Sequence, residues 1–336
     1  MSRRQAGRTL TWIVVGLGLL AIASGCDGFW SPTGGSLTDV GPMKTKVAQV
    51  RWRVPGDFAT IQAAVDSPSV AAGDRIVVEA GSHAGALLTK SVDICGEGNA
   101  IISSGPPHSS GLVQGFRLLA GSDGASFSHL VFAVDLAIMN GAAIDSITVS
   151  QCTFQNPVQA ISNWSGCDWL IEHNLVEGLR CRNGGGIGIL IGDRSGGLVT
   201  GNVIAHNTLR GVLTVPATDG GGYNGSGIVL YADFRYGWPG TEEISGNRVV
   251  HNLVALVSDT PEVVDVAAFE LTDARDDPDL ASVIFSNAIG FNDFRGTGLQ
   301  IVLTPEELSS VNEISRNLGE NRGHGAHPAV FGTGGD

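Results

Sequence analysis

A short pattern of one apolar residue, two variable residues and an asparagine recurs along the second half of the chain. The copies end at Asn174, Asn202, Asn247, Asn287 and Asn317. In the middle copies a second asparagine follows five residues later, at Asn207, Asn252 and Asn292. Self-similarity at a nearly regular period is typical of proteins built from stacked repeats.

The apolar runs between these copies predict strands rather than helices. Gly188–Ile191 and Gly227–Tyr231 are short, rich in β-branched residues and bounded by glycine or polar residues. A unit this small buries too little apolar surface alone, so we expect successive coils to stack. The asparagines are predicted to form a turn column in which amides bond from coil to coil, a structural rather than catalytic role.

The shortest coil is predicted to be the 22-residue step from Cys152 to Asn174, with Cys152 in the asparagine position. The longer steps must contain loops or an extra short turn. Ahead of the repeats, Asp57 or Thr60 can cap a helix with Phe58, Ile61 and Val65 on one face. Such a helix would cover the exposed backbone edge of the first coil.

Three segments open the folded region, and their letters are VPGDFATIQAAV from Val54, GDRIVV from Gly73 and SVDICGEG from Ser91. This block resembles the start of the pectin-lyase-like superfamily of right-handed parallel β-helices. That superfamily includes pectin methylesterases, polygalacturonases and nitrous-oxide-reductase accessory proteins. The resemblance implies an all-β fold, a right-handed parallel β-helix solenoid with a short N-terminal capping helix.

The resemblance does not extend to the catalytic motifs of those enzymes. The QDT and DFIFG stretches of pectin methylesterases are missing, and Asn292–Arg295 is only a superficial echo of the second. The closely spaced aspartates of polygalacturonases are missing too, and Gly323–Gly325, read as GHG, lies in the final tail. One fold hosts many activities, so any mechanism depends on this chain's own residues.

The N-terminus is predicted to be a targeting segment. Arg3, Arg4 and Arg8 precede an apolar run from Leu10 to Ala23, which is followed by Ser24, Gly25 and Cys26. This arrangement resembles a bacterial lipoprotein signal, which implies lipidation of Cys26 and a membrane partner through that anchor; a plain secretory signal and an uncleaved anchor are the alternatives. The predicted organisation is a signal at 1–25, a tether at 26–50, the β-helix at 51–322 and a mobile tail at 323–336, in the periplasm or at the cell surface.

Composition narrows the choice of partners. The net charge of −13 argues against nucleic acid, and 48 glycines with 6% aromatic residues suit a turn-rich β-protein. An exported chain permits disulfides, and Cys167 and Cys181 are close enough in sequence to pair. Cys152 is predicted to be a small buried residue.

Three predicted strands end in an aspartate with an arginine close behind. The pairs are Asp193 with Arg194, Asp233 with Arg235, and Asp273 with Arg275. If the strands stack in register, these residues form a column that could do acid–base chemistry or hold Ca²⁺ as a cofactor. The alternative is structural, with aspartates closing turns and arginines neutralising them.

Two inserts adjoin this column. The first, 214–240, concentrates aromatic residues suited to stacking on sugar rings, or to packing on the solenoid: Tyr223, Tyr231, Phe234, Tyr236 and Trp238. The second, 258–280, is acidic and includes Glu270 and Asp273; it is interpreted as a solvated loop rather than a Ca²⁺ site, since EF-hand spacing is absent.

His206 and His251 precede ladder asparagines and are predicted to stack on the surface, with His173 in a neighbouring column. Three functions follow as hypotheses. The first is an exported β-helix that binds a carbohydrate and, as an enzyme, would be a polysaccharide lyase or glycoside hydrolase. The second is a non-catalytic structural or adhesive protein. The third is a metal-handling accessory protein that uses the histidines.

Overall fold

A computed structural model describes residues 49–182, 185–194, 196–216, 224–233, 242–274, 283–319 and 322–323. The described chain consists of short strands and two short helices. Residues 1–48, which contain Cys26, the whole predicted signal and most of the predicted tether, lie outside this range, as do residues 324–336. In the described part of the chain no helix is long and apolar enough to cross a membrane.

The elements follow one another along the chain in a regular order. The first coils contain β1 (Arg51–Val54), α1 (Ile61–Asp66), β2 (Arg75–Val78), β3 (Gly81–Ala84), β4 (Leu87–Leu88), β5 (Asp93–Gly96), β6 (Ala100–Ser104), β7 (Gln114–Leu118), β8 (Ser126–Ser128), β9 (Val131–Phe132) and β10 (Leu136–Asn140). The middle coils contain β11 (Thr148–Ser150), β12 (Thr153–Gln155), β13 (Gln159–Trp164), β14 (Leu170–Glu172), β15 (Leu175–Arg180), β16 (Gly185–Asp193), β17 (Gly197–Val199), β18 (Val203–Ala205) and β19 (Thr208–Thr214). The last coils contain β20 (Asn224–Ala232), β21 (Glu242–Ser245), β22 (Arg248–Val250), β23 (Leu253–Ser258), β24 (Val266–Asp273), β25 (Ile284–Phe285), β26 (Ala288–Gly290), β27 (Leu299–Thr304), α2 (Leu308–Val311), β28 (Glu313–Ser315) and β29 (Arg322–Gly323).

The described strands stack into long parallel sheets. The first sheet runs β1-β2-β5-β8-β11-β14-β18-β22-β26-β28, the second β3-β6-β9-β12-β15-β19-β23, and the third β4-β7-β10-β13-β16-β20-β24-β27-β29. The coils that begin at β2 through β22 visit the three sheets in that order, and strands pair in parallel with their equivalents in the next coil, as β14 does with β18. The described part of the last two coils has no strand of the second sheet. The predicted all-β solenoid is therefore confirmed as a parallel β-helix.

A fourth sheet of β17, β21 and β25 accounts for part of the uneven coil length. In sequence, each of these strands follows a third-sheet strand and precedes a first-sheet strand. Their coils are 33, 45 and 40 residues long, counted from Asn174 to Asn207, from Asn207 to Asn252 and from Asn252 to Asn292. The step from Cys152 to Asn174 measures 22 residues and has no such strand in the described chain. The prediction that this coil is the shortest is wrong, because the step from Arg75 to Asp93 measures 18 residues. An extra short strand, and not only loops, lengthens the later coils.

Apolar side chains fill the interior as columns. Phe132 stacks on Phe154 with ring centroids 4.9 Å apart, and Phe116 lies 5.0 Å from Phe127. All four rings are buried. Since each buried large apolar side chain contributes roughly 1.5–3 kcal/mol, this interior supplies most of the stabilisation of the solenoid.

A short helix lies where the sequence predicts one. Thr60 caps α1 by accepting a hydrogen bond from Ala63 N at 3.1 Å, and Ile61 and Val65 are buried. The Gln62 amide pairs with the backbone of β4: its Oε1 accepts from Leu87 N at 2.8 Å, and its Nε2 donates to Leu87 O at 3.3 Å. A side-chain amide thus takes the place of a neighbouring strand at this end of the third sheet.

Two asparagine ladders run along the solenoid. The first ladder, at the entry to the first sheet, consists of Asn202, Asn247, Asn287 and Asn312. The second ladder, between the first and second sheets, consists of Asn174, Asn207, Asn252, Asn292 and Asn317. In each, the Nδ2 of one asparagine donates to the Oδ1 of the next at 2.8–3.0 Å. The predicted amide ladder is confirmed.

The assignment of asparagines to columns needs a correction. The sequence pattern grouped Asn174 and Asn317 with Asn202, but both belong to the second ladder. The position of the first ladder in the coil of Asn174 is filled by Trp169, whose backbone N donates to Asn202 Oδ1 at 2.9 Å. Cys152 likewise fills a position of the second ladder, with its N donating to Asn174 Oδ1 at 3.0 Å.

Cys167 and Cys181 are not joined by a disulfide, so the pairing that the sequence allowed does not occur. The Cys167 thiol donates instead to Leu198 O at 3.0 Å. Burial raises the pKa of the Cys152 thiol to about 12, so it is protonated and unreactive at neutral pH. Its predicted role as a small buried residue is confirmed.

Candidate functional site

The third sheet differs from the other sheets because its later strands are buried on both faces. Every residue of β16 is buried. Ile189 and Ile191 belong to the main core, whereas Ile187 and Leu190 belong to a separate apolar cluster with Trp164, Val229 and Tyr231. We call the side that carries this second cluster the outer face of the third sheet. Such double burial is typical of parallel strands covered on both sides.

The three candidate aspartates lie at the ends of these strands, but they do not form a straight column. In the strand pairing, Asp193 lies opposite Ala232, and Ala232 lies opposite Asp273. Asp233 is one residue further along and donates its backbone N to Asp193 O at 2.8 Å. The expected register is therefore wrong by one residue in the middle strand.

The physical reason for this register is packing around Gly192. Gly192 pairs with Tyr231, not with Ala232. A Cβ at Gly192 would lie 2.7 Å from the Trp164 ring, so only glycine leaves room for the indole there. Trp164 then meets the Tyr231 ring edge-on, with centroids 6.3 Å apart. The sequence comparison aligned Gly192 with Ala232, because each precedes an aspartate, and so missed the contact between Trp164 and Tyr231.

The pairing also fixes the direction of the carboxylates. Ala232 belongs to the main core, and laterally paired residues of a sheet share a face. Asp193 and Asp273 therefore lie on the core side of the sheet. All three aspartates are buried, and Asp193 Oδ1 accepts a hydrogen bond from Ser165 Oγ at 2.6 Å. The three aspartates therefore do not form a row of carboxylates that faces solvent.

Glu270 is the carboxylate that the described strands place on the outer face. It pairs laterally with Val229 of the outer cluster and is 3% exposed. Ser226 Oγ donates to its Oε2 and Thr272 Oγ1 to its Oε1, both at 2.5 Å. Burial of a carboxylate among apolar side chains costs free energy that two hydroxyl donors offset only in part.

The sequence placed Glu270 both in a predicted strand that ends at Asp273 and in a solvated acidic insert. The strand is confirmed and the solvated loop is wrong at this position, because 266–273 form the buried strand β24. The run VAAFELTD contained a usable signal, since it holds one glutamate inside an otherwise apolar stretch of strand length. Trp164 and Ser226 were also missed. Both lie outside any recognisable motif, and only the stacking of coils brings them next to Tyr231 and Glu270.

The remaining predicted residues divide into two groups. Arg194 lies with its guanidinium 5.4 Å from the centroid of the Trp164 ring, a cation–π arrangement. Tyr231 is 1% exposed and packs on Trp164, so its ring supports the outer face rather than offering a flat surface to solvent. The others lie outside the described residues: Arg235, Arg275, Tyr223, Phe234, Tyr236 and Trp238.

His173, His206 and His251 form one stack at the corner between the first and second sheets, away from the third sheet. His173 lies 5.0 Å from His206, His206 lies 5.1 Å from His251, and Phe291 continues the column at 5.2 Å. The predicted stacking is confirmed, but His173 belongs to the same column, because it occupies the same turn position in its coil. Across the described ranges, no group of three histidine, cysteine or acidic side chains is arranged to hold a metal ion.

Comparisons with protein-family models, with curated proteins and with solved structures each found no match to this chain.

Proposed function

We propose that this protein is an exported lipoprotein, anchored through Cys26, whose β-helix binds a polysaccharide at the outer face of the third sheet. The lipoprotein-like signal at 1–25 supports the anchor, and the resemblance of residues 51–102 to pectin-lyase-like proteins supports a glycan ligand. The observation that carries the proposal is the buried Glu270 with its two hydroxyl partners beside Trp164 and Tyr231. Proteins keep polar groups that are costly to bury mainly where function requires them.

The chemistry that such a site supports is proton transfer. A lyase needs a base that removes a sugar-ring proton, and a hydrolase needs an acid and a base or nucleophile. Glu270 is the candidate for that group, with Ser226 and Thr272 as its positioning residues. Asp233, a buried carboxylate that follows directly on β20, is the candidate for a second carboxylate. If the site uses a cation, Ca²⁺ suits the carboxylates of Glu270 and Asp233, because it prefers oxygen ligands.

The binding test uses the full-length protein in a detergent without a sugar headgroup, on a panel of neutral and acidic polysaccharides, with Ca²⁺ or with a chelator. We expect Glu270→Gln to weaken binding to the selected glycan at least tenfold, about 1.4 kcal/mol. The matched control is Glu262→Gln, which removes an exposed carboxylate and should leave binding unchanged. Retention of parental affinity by Glu270→Gln in a folded protein would refute the assigned site.

Because the Glu270 side chain is buried, a glycan can reach it only if the residues around it move when the glycan binds. Amide hydrogen exchange of β20 and β24, with and without the selected glycan, therefore accompanies the affinity measurement. Cleavage is measured separately, as new reducing ends for a hydrolase or as the ultraviolet absorbance of an unsaturated product for a lyase. Loss of cleavage in Glu270→Gln with retained binding would assign Glu270 to the chemistry.

A non-catalytic structural or adhesive protein is the second candidate, and one specific observation favours it. Asp193 and Asp273 are separated by Ala232 and lie on the core side, where Ser165 binds Asp193. If the triple variant of Asp193, Asp233 and Asp273 to Asn folds and binds every glycan like the parent, these aspartates have no ligand role. Metal handling has weaker support, because parallel rings about 5 Å apart in the histidine column do not converge on one ion.

The anchor has its own test. Full-length protein expressed in bacteria with labelled palmitate should carry the label and sediment with membranes. Cys26→Ser should lose the label, whereas Cys95→Ser, which changes a cysteine within the β-helix, should keep it. A label retained in Cys26→Ser would exclude lipidation at this residue.

A further inference from the structure

The second sheet contains an irregularity that the third-sheet site does not explain. Strands β15 and β19 pair normally up to Glu177 and Arg210, and then the register shifts, so that Leu179 lies opposite Leu213. Strand β19 therefore has one more residue than β15 across this interval. The next pairing, between β19 and β23, continues without a shift. This bulge lies in the β15–β19 pair, and a second register shift occurs in the same sheet between β3 and β6. Bulges commonly mark sites where a strand is redirected for function.

Two glycines shape the bulge. Gly178 has φ of +71° and Gly211 has φ of +109°, both in the region that favours glycine. A Cβ at Gly178 would lie 2.2 Å from Asn156 Oδ1, and a Cβ at Gly211 would lie 3.0 Å from Gly178 N. The floor of the bulge is thus bare backbone, which brings the Asn156 amide close above it.

The result is a groove of about 390 Å³ with a mixed lining. Asn156, Glu177, Arg210 and Thr214 supply polar groups, and Val212, which is 44% exposed, supplies an apolar wall. The groove is shallow and largely open to solvent, and its volume falls in the range of small-molecule sites, roughly 300–1,000 Å³. We name this feature the second-sheet groove.

Charge in the groove is balanced. Arg210 Nη2 donates to Glu177 Oε1 at 3.2 Å, with side chains 57% and 43% exposed. An exposed pair of this kind stabilises a fold by only about 0–1 kcal/mol, so its groups are free to exchange partners at little cost. A neutral ligand leaves this balance intact, whereas a carboxylate would face Glu177.

We infer that the second-sheet groove binds one neutral pyranose unit. The guanidinium, carboxylate and amide are planar groups that can each bond two neighbouring hydroxyls, with donors and acceptors both present. The Thr214 hydroxyl adds a further polar contact, and Val212 offers an apolar surface to the C–H face of the ring. The inference is independent of the third-sheet site, since none of its residues lies on the third sheet.

The test measures binding of free glucose, galactose and mannose, their uronates and matching neutral oligosaccharides to the full-length protein, by saturation-transfer NMR and titration. We expect at least one neutral sugar to bind, and its affinity to fall at least tenfold in Arg210→Gln and in Glu177→Gln. The corresponding uronate should bind more weakly than the neutral sugar. Binding of the free sugar identifies a monosaccharide ligand, and binding of oligosaccharides alone identifies a unit of a chain.

Matched controls come from exposed ion pairs on the first sheet. Arg51 pairs with Glu97 and Arg53 with Glu79 at similar exposure, so Arg51→Gln and Glu79→Gln should leave sugar affinity unchanged. The inference is overturned if no neutral sugar binds, if the uronate binds more tightly, or if Arg210→Gln binds like the parent. Loss of sugar binding in Glu270→Gln alone would place the sugar on the third sheet, which supports the proposed function and refutes the groove.

Discussion

At the corner between the first and second sheets the same turn recurs from coil to coil, whereas the far end of the third sheet differs in each coil. The corner residues all have φ between 54° and 59°: His129, Gln151, His173, His206, His251, Phe291 and Arg316. The third-sheet ends carry Trp164, Gly192, Tyr231 and Thr272 in laterally paired positions. The corner repeats the same backbone turn in each coil, and the end of the third sheet places a different side chain in each coil.

The difference shows how a solenoid separates stability from chemistry. At the corner, every amide of the second ladder meets an identical amide 2.9–3.0 Å away, so a change in one coil damages its neighbours. At the third sheet, each coil contributes a different group, and burial of Glu270 and the aspartates opposes stability. We expect substitutions at the two regions to have opposite signs.

The largest effect is expected in the middle of the second ladder. Asn252 Oδ1 accepts from Asn207 N and Nδ2, and Asn252 Nδ2 donates to Ile204 O and Asn292 Oδ1. Asn252→Ala leaves several buried groups without partners and should lower the free energy of unfolding by about 3–5 kcal/mol in denaturant titrations. Asn317→Ala, at the last described position, is the control and should cost less. A loss at Asn252 below about 1 kcal/mol would contradict the structural role of the ladder.

The next effect has the opposite sign. The triple variant Ser226→Ala, Glu270→Met and Thr272→Val replaces the outer-face polar set by apolar side chains of similar size. Such replacements are neutral or stabilising by about 1–4 kcal/mol. We expect a higher unfolding midpoint together with loss of glycan binding. A destabilised triple variant would mean that this polar set stabilises the fold, which favours the non-catalytic candidate.

A pH-dependent effect is expected in the first coil. Burial raises the pKa of Asp74, but hydrogen bonds from Trp52 Nε1, Ala71 N and Val50 N outweigh it and hold the pKa below its usual value. The stabilisation is therefore complete above the unfolded pKa, about 3.9, and is lost as pH falls through the lower folded pKa. Asp74→Asn should cost roughly 1–2 kcal/mol at neutral pH. The gap between parent and variant should close in acid, as unfolding midpoints measured across pH would show; a constant gap would exclude the carboxylate charge as its cause.

The smallest effect is expected at the histidine stack. His206→Gly removes the contacts with His173 and His251, but it also removes the cost of a positive φ for a side chain, about 1–2 kcal/mol. The two terms nearly cancel, so stability should change by less than about 1 kcal/mol. His206→Ala keeps the backbone cost and loses the rings, and it should be the less stable variant. The reverse order, measured by thermal unfolding, would show that the stack outweighs the backbone.

Periodicity was sufficient to predict the stacked coils, the strand character of Gly227–Tyr231 and the amide ladders, because each is a repeated local choice. It misassigned Asn174, because Trp169 stands in the first-ladder position of that coil without resembling asparagine. It misassigned Asn317, because Asn312 holds the first-ladder position there but follows Ser309 instead of an apolar residue. It also placed Asp233 beside Asp193, since a one-residue offset between strands leaves no trace in either strand's own pattern.

What the sequence alone determined about this protein is therefore its architecture: parallel coils, asparagine corners and a capped helix at the first coil. Only the tertiary structure decided which side chains share a face. It put Asp193 and Asp273 on the core side, Glu270 with Ser226 and Thr272 on the outer face, and Asn156 over Gly178. The physical reason is that neighbours from different coils, such as Asn156 and Gly178 or Ser226 and Glu270, lie 22 or 44 residues apart in sequence. Strand register brings them together, and packing around residues such as Gly192 sets that register.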